Sequence, residues 1–133
     1  MERGVLYLSE PAVRAAWEGV RREAPREAVG LFLGRGELGE EAVFLPNVHP
    51  EPELAYRADP AALLRVLREA DARELRVVAL FHSHPRGLAY PSDRDRREAY
   101  WRVPYLIFGL AEGRARAFWL PEGEEVAIEV VTG

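Results

Sequence analysis

The sequence predicts one mixed α/β domain over residues 1–133, a curved sheet with helices before and between its strands. Three observations carry that expectation. The chain has 133 residues, the size of one domain, and its 48% apolar content is ample for one core. Apolar runs of strand length alternate with amphipathic stretches of helical period. Gly or Pro punctuates most junctions, with no internal repeat and no linker between them.

Residues 5–8 form a short apolar strand, after which Ser9 offers an N-cap and Pro11 falls in the first helical turn. Val13, Ala16, Trp17 and Val20 recur at helical spacing, with Arg14, Glu18, Arg21 and Arg22 off that stripe. The helix runs through Glu23 and stops at Pro25. Residues 26–34 are a nearly continuous apolar run entered by one carboxylate, Glu27. They read as a central strand with a Gly34-Arg35-Gly36 turn and an antiparallel return over 41–45.

Residues 46–59 are a proline-rich loop holding Asn47 and His49, with a short extended piece at 54–57. Asp59 then caps a second helix with Pro60 at its first position, and Leu63, Leu64, Leu67 and Ala70 line one face to near Ala72. Residues 77–84 are a buried strand and 85–91 the loop that leaves it. Ser92 caps a third helix, with Asp93 and Asp95 in the first turn, which ends before Pro104. Residues 105–110, 114–120 and 125–131 are the closing strands, divided by Gly113 and by Pro121-Glu122-Gly123.

Composition excludes several classes. Mean hydropathy of -0.22 describes a soluble globular chain, and no apolar run has the length of a membrane span. The opening Met1-Glu2-Arg3-Gly4 is no signal peptide, so the expected location is the cytoplasm, with no membrane partner. A net charge of -4 leans against nucleic acid. Cysteine is absent, so any metal must be held by nitrogen and oxygen. All eighteen basic residues are Arg, Asn47 is the sole Asn and Gln is missing. That shortage of thermolabile residues fits a thermophile with a GC-rich genome.

The chemistry concentrates after the strand at 77–84. Two of the three histidines, His82 and His84, stand there at i and i+2. On a strand they point the same way, about 7 Å apart at Cα, close enough to share one ion. Asp93 and Asp95 could each supply a third ligand, and Asp95 is preferred because it would stand at N3, above the Ser92 cap. Two His and one carboxylate are the pattern of a catalytic zinc that keeps a fourth position for water. Such a zinc lowers the pKa of its water to about 7, yet peptide hydrolysis also needs a base that then protonates the leaving amine. Glu27 is the only acid at the mouth of a core strand, and the Ser92 hydroxyl could donate to an oxyanion.

Plainer readings stand beside these. His82 and His84 could be satisfied core histidines, Glu27 a solvated strand end, and Ser92 an N-cap alone. His49 and Asn47 read as surface-loop residues with some prospect of lining a cleft. Arg94, Arg96, Arg97 and Arg102 read as a solvated helix face before an acidic-partner dock.

Glu27, then His82-Ser83-His84-Pro85, six residues, Ser92, two residues and Asp95 resemble the JAMM motif of the MPN+ metalloproteases. Pro25-Arg26-Glu27-Ala28 with Gly30, and the loop from Asn47 to Pro60, also look like compact prokaryotic members. The resemblance implies a cytidine-deaminase-like mixed sheet and one zinc per chain on His82, His84, Asp95 and water. It implies Glu27 as general base and Ser92 as oxyanion stabiliser. It further implies cleavage after the C-terminal Gly-Gly of a ubiquitin-like or sulfur-carrier protein, from conjugates, fusions or an attached amino acid. Rival readings are amino-acid release from a carrier C-terminus, a silent MPN-type binding module, and a hydrolase of small amides. A nucleobase deaminase needs Cys ligands that are missing. The chain has no Lys to receive a conjugate, which suits a deconjugase and equally a lysine-poor genome.

Overall fold

Ser9 closes the first strand, β1 (Val5–Ser9), and opens the first helix, α1 (Glu10–Glu23). Its hydroxyl accepts the Ala12 amide at 3.2 Å, satisfying one of the free donors of the first turn. The computed structural model describes residues 4–132, and the expectation for Met1-Glu2-Arg3 lies outside them. The chain continues with β2 (Val29–Gly34), β3 (Leu38–Gly39), β4 (Glu41–Leu45), α2 (Pro60–Ala72) and β5 (Arg76–His84). It ends with α3 (Asp93–Arg97), β6 (Tyr105–Gly109), β7 (Arg114–Trp119) and β8 (Glu124–Val131).

The strands form one eight-stranded sheet in the order β3-β1-β8-β7-β6-β5-β2-β4. Its first and last members, β3 and β4, are separated in the chain by Glu40 alone, so the sheet must curl back on itself. The Glu40 amide marks that closure by donating to the Leu33 carbonyl on β2 at 2.8 Å. Within the curl, β5 runs antiparallel to β2 and parallel to β6, which fits the mixed α/β class. Among the described residues no helix is long and apolar enough to cross a membrane.

The described residues form three core clusters, the third built on Tyr105, Ile107, Phe118 and Leu120, and alternation along the strands separates the two larger ones. Phe32, Phe81 and Phe108 pack with Ala12, Ala16 and Val20 of α1, while Val29, Leu31 and Leu33 pack with Ala62 and Ala70 of α2. All six residues of β2 are therefore buried, which explains its unbroken apolar run. His82 lies opposite Val29, at the edge of the α2-side layer.

Several boundaries differ from the sequence expectation. The strand expected over 26–34 starts at Val29, because the Glu27 amide donates to the Pro52 carbonyl (2.7 Å) and the Ala28 amide to the Ser83 hydroxyl (2.8 Å). Residues 54–57 form no strand, and only a single bridge joins Asn47 to Ala58. Asp59 holds the cap position of α2 through its backbone while its side chain makes no capping bond. Helix α3 stops at Arg97, and beyond it the Tyr105 hydroxyl accepts the Tyr100 and Trp101 amides, both at 2.9 Å.

Candidate metal centre

Strand β5, held by hydrogen-bonded neighbours on both sides, carries His82 and His84 to the end of the sheet. Their Nε2 atoms lie 3.3 Å apart, and Asp95 Oδ2 lies 3.2 Å from the first and 3.1 Å from the second. The Asp95 carboxylate is aimed by a capping box on α3. Ser92 Oγ accepts the Asp95 amide (3.0 Å), and Asp95 Oδ2 accepts the Ser92 amide (2.9 Å). Asp93, the other candidate carboxylate, is exposed.

Two electron pairs converge in this triangle, from His84 and Asp95, and His82 Nε2 adds a third when its proton rests on Nδ1. His84 Nδ1 sits 2.9 Å from the Leu88 carbonyl, which can only accept, so the proton belongs on Nδ1 and the Nε2 lone pair faces inward. Three acceptors this close repel one another unless a cation or proton lies between them. A four-coordinate zinc with bonds of about 2.0–2.1 Å spaces its ligand atoms about 3.3–3.4 Å apart, close to the edges observed. Two imidazoles and one carboxylate also suit zinc better than calcium, which prefers six or more oxygens.

The electrostatics favour a cation. Burial works against the ionised Asp95 carboxylate, but hydrogen bonds with the His82 and His84 rings and from the Ser92 amide outweigh it and hold its pKa well below the usual range. Burial lowers the pKa of His82, keeping its ring neutral. For His84 burial acts the same way, yet the Asp95 and Leu88 oxygens prevail and raise its pKa.

Glu27 stands just before β2, only 7% exposed, with its carboxylate within 4.8 Å of both imidazoles. Burial pushes its carboxyl up to about 7, with Asp95 adding to the rise and His84 and Arg94 opposing it. Its main chain is held by the Asn47 side-chain amide, which donates to the Glu27 carbonyl at 2.8 Å. Ser92 is exposed and shares a cleft of about 260 Å³ with Glu27, His84, Asp95, Tyr56 and Arg94.

The five expected site residues thus lie together, and others join them. Ser83 points away from its histidine neighbours, as strand alternation requires, and its hydroxyl ties β5 to Ala28. Tyr56 stacks on His82 with ring centroids 4.4 Å apart, a contact no sequence spacing announces. Asn47 organises its loop, and His49 accepts the Glu51 amide on Nδ1 without lining the cleft. Of the basic run, Arg94 lines the cleft, Arg97 is exposed, and Arg96 and Arg102 lie against Glu122.

A curled mixed sheet that ends in a two-histidine, one-carboxylate centre beside a buried glutamate defines a metallopeptidase of the JAMM class. The family model for prokaryotic homologs of the JAB domain matches residues 9–121, and the chain belongs to that family. It is 51% identical over 127 residues to a probable TtuB-protein conjugate cleaving protease of Thermus thermophilus, across 96% of this chain and 84% of that one. It is 30% identical to a desampylase of Haloferax volcanii, across 77% of this chain and 75% of the other. Among solved structures, protein DSY2949 of Desulfitobacterium hafniense matches with a TM-score of 0.84 at 27% identity, covering 97% of this chain and 94% of its own.

Proposed function

We propose that residues 1–133 act as one zinc-dependent peptidase domain in the cytoplasm of a thermophile. Its reaction is hydrolysis of the bond after the C-terminal Gly-Gly of a small ubiquitin-like or sulfur-carrier protein. The observation that carries this reading is the triangle of donor atoms, 3.1–3.3 Å on each edge, beside a buried glutamate in an open cleft. The substrate class rests on the conjugate-cleaving activity named for the relative that is 51% identical.

His82, His84 and Asp95 hold the ion. When bound, zinc supplies Lewis acidity, lowering the pKa of a water at its open position to about 7 and polarising the scissile carbonyl. The Glu27 carboxylate lies within 4.8 Å of both imidazoles, close enough to reach an ion held there or its water, and in this reading it takes a proton from the attacking water and passes it to the leaving amine. In the metal-free protein burial raises its pKa to about 7, and a zinc ion beside it would lower that value and favour the ionised carboxylate a base requires. The Ser92 oxygen accepts the Asp95 amide, leaving its O–H to donate to the substrate carbonyl as negative charge develops there. At about 260 Å³ the cleft is smaller than a drug-sized pocket of about 300–1,000 Å³, which suits a tail of two glycines.

The test is to incubate the zinc-loaded protein with two substrates, a carrier joined to lysine through an isopeptide bond and a carrier with one amino acid appended. Mass spectrometry then reads the products. Release of carrier ending in Gly-Gly from the isopeptide conjugate, abolished by a chelator, is expected. Cleavage of the amino-acid adduct alone moves the assignment to amino-acid release. No cleavage of either by fully loaded protein leaves a binding module.

A further inference from the structure

We propose that Tyr56 is the positioning residue for His82, its ring setting the angle at which that imidazole presents Nε2 to the metal. The proposal rests on the reading of His82, His84 and Asp95 as zinc ligands. His82 and His84 leave the same strand, yet different forces orient them. His84 has a hydrogen bond to the Leu88 carbonyl on its far nitrogen, the usual device for aiming a metal-binding imidazole. His82 has none, since its Nδ1 is buried and finds no hydrogen-bond partner among the described residues. The outer torsion of a histidine is broad and roughly two-fold, so an imidazole without such a bond needs another restraint.

Tyr56 supplies one. Its ring lies nearly parallel to the His82 ring, at 27° with centroids 4.4 Å apart, so rotation of the imidazole would drive it into the phenol face. His84 meets the His82 ring edge-on at 5.0 Å, which leaves Tyr56 as the stacked neighbour. Coordination draws electron density out of an imidazole, and the electron-rich face of a phenol favours that state.

Tyr56 is itself well anchored. The Asn47 side chain accepts the Arg57 amide (3.0 Å) and donates to the Ala55 carbonyl (3.1 Å), gripping the chain on both sides of the tyrosine. The same Asn47 amide donates to the Glu27 carbonyl, so one side chain registers the stacking ring against the proposed base. Tyr56 also lines both the catalytic cleft and a second cavity of about 160 Å³ that reaches His82. Loss of the ring would give the imidazole room to turn.

The role belongs to the ring and not to the hydroxyl, which makes Tyr56→Phe and Tyr56→Leu the informative pair. Zinc affinity is measured by competition with a chromophoric chelator, and ligand geometry by the visible absorption of the cobalt-substituted protein. Thermal unfolding of the metal-free forms reports whether each variant is folded. Tyr56→Phe is expected to keep wild-type affinity and spectrum. Tyr56→Leu should bind zinc about 10- to 100-fold more weakly, with shifted cobalt bands. Should Tyr56→Leu not fold, Tyr56→Met fills similar space without a flat ring and carries the same expectation. Wild-type affinity and an unchanged cobalt spectrum in the aliphatic variant overturn the Tyr56 assignment alone. A wild-type protein that takes up no zinc overturns the metal reading and this assignment with it.

Discussion

One half of the centre is carried by a ladder and the other by point contacts. His82 and His84 ride on β5, whose backbone is bonded to β2 on one side and β6 on the other. Glu27, Tyr56 and Asp95 arrive on short irregular or single-turn segments held by the Asn47 amide, the Ser83 hydroxyl and the α3 capping box. The ladder spreads its restraint over many bonds, whereas each point contact can be removed by one substitution. Changes to the strand framework that carries the two histidines should therefore act through global stability, and changes in the other half through metal uptake and turnover with the fold retained.

The largest effect expected from the irregular half is that of Asp95→Ala, which removes one corner of the triangle and half of the capping box. Metal analysis should find no stoichiometric zinc and assays no turnover, while circular dichroism stays that of a folded protein. Ser92→Ala should keep its zinc. Loss of one oxyanion donor is worth about 10²–10³ in kcat, and loss of the cap about 1 kcal/mol in thermal or denaturant unfolding.

Acidity gives a graded version of the same contrast. His84 has a raised pKa in the metal-free protein, so protons compete for its Nε2 as pH falls through that value. Zinc affinity should drop about tenfold per pH unit for each proton displaced, measurable by chelator competition between pH 8 and pH 6 (chosen to span roughly the ordinary His value). The sign for Asp95 is opposite. Its depressed pKa contributes stability above the ordinary Asp range, lost as pH falls through and below it.

The strand half should respond differently. A Cβ on Gly30 would come within 2.3 Å of Phe81 Cζ and 2.4 Å of the Val43 carbonyl, a clash with backbone that β2 cannot relieve cheaply. Gly30→Ala should cost about 1–3 kcal/mol in chemical denaturation while any molecule that remains folded binds zinc normally.

The same division explains what could be read before the fold was seen. Periodicity and turn residues placed α1, α2 and β5 within a residue or two, because each buries a face whose pattern is written locally. The motif spacing also brought Asp95 and Ser92 together with the histidines, since strand, loop and cap follow one another in the chain. Strand β3 escaped notice because two residues, Leu38 and Gly39, carry no periodicity. The late start of β2 depends on Pro52 and Ser83, partners distant in sequence that take the Glu27 and Ala28 amides. Tyr56 was invisible for the same reason, as its meeting with His82 is created by the folding of a loop without regular structure.

The central claim, that Glu27 moves protons for a metal held by other residues, is tested most directly by Glu27→Gln. The substitution keeps the size of the side chain and removes its basicity. One zinc per chain by metal analysis, with turnover of a carrier–lysine conjugate reduced about 10²-fold or more, is the predicted result. Full activity in the variant, or loss of its zinc, would contradict that division of labour.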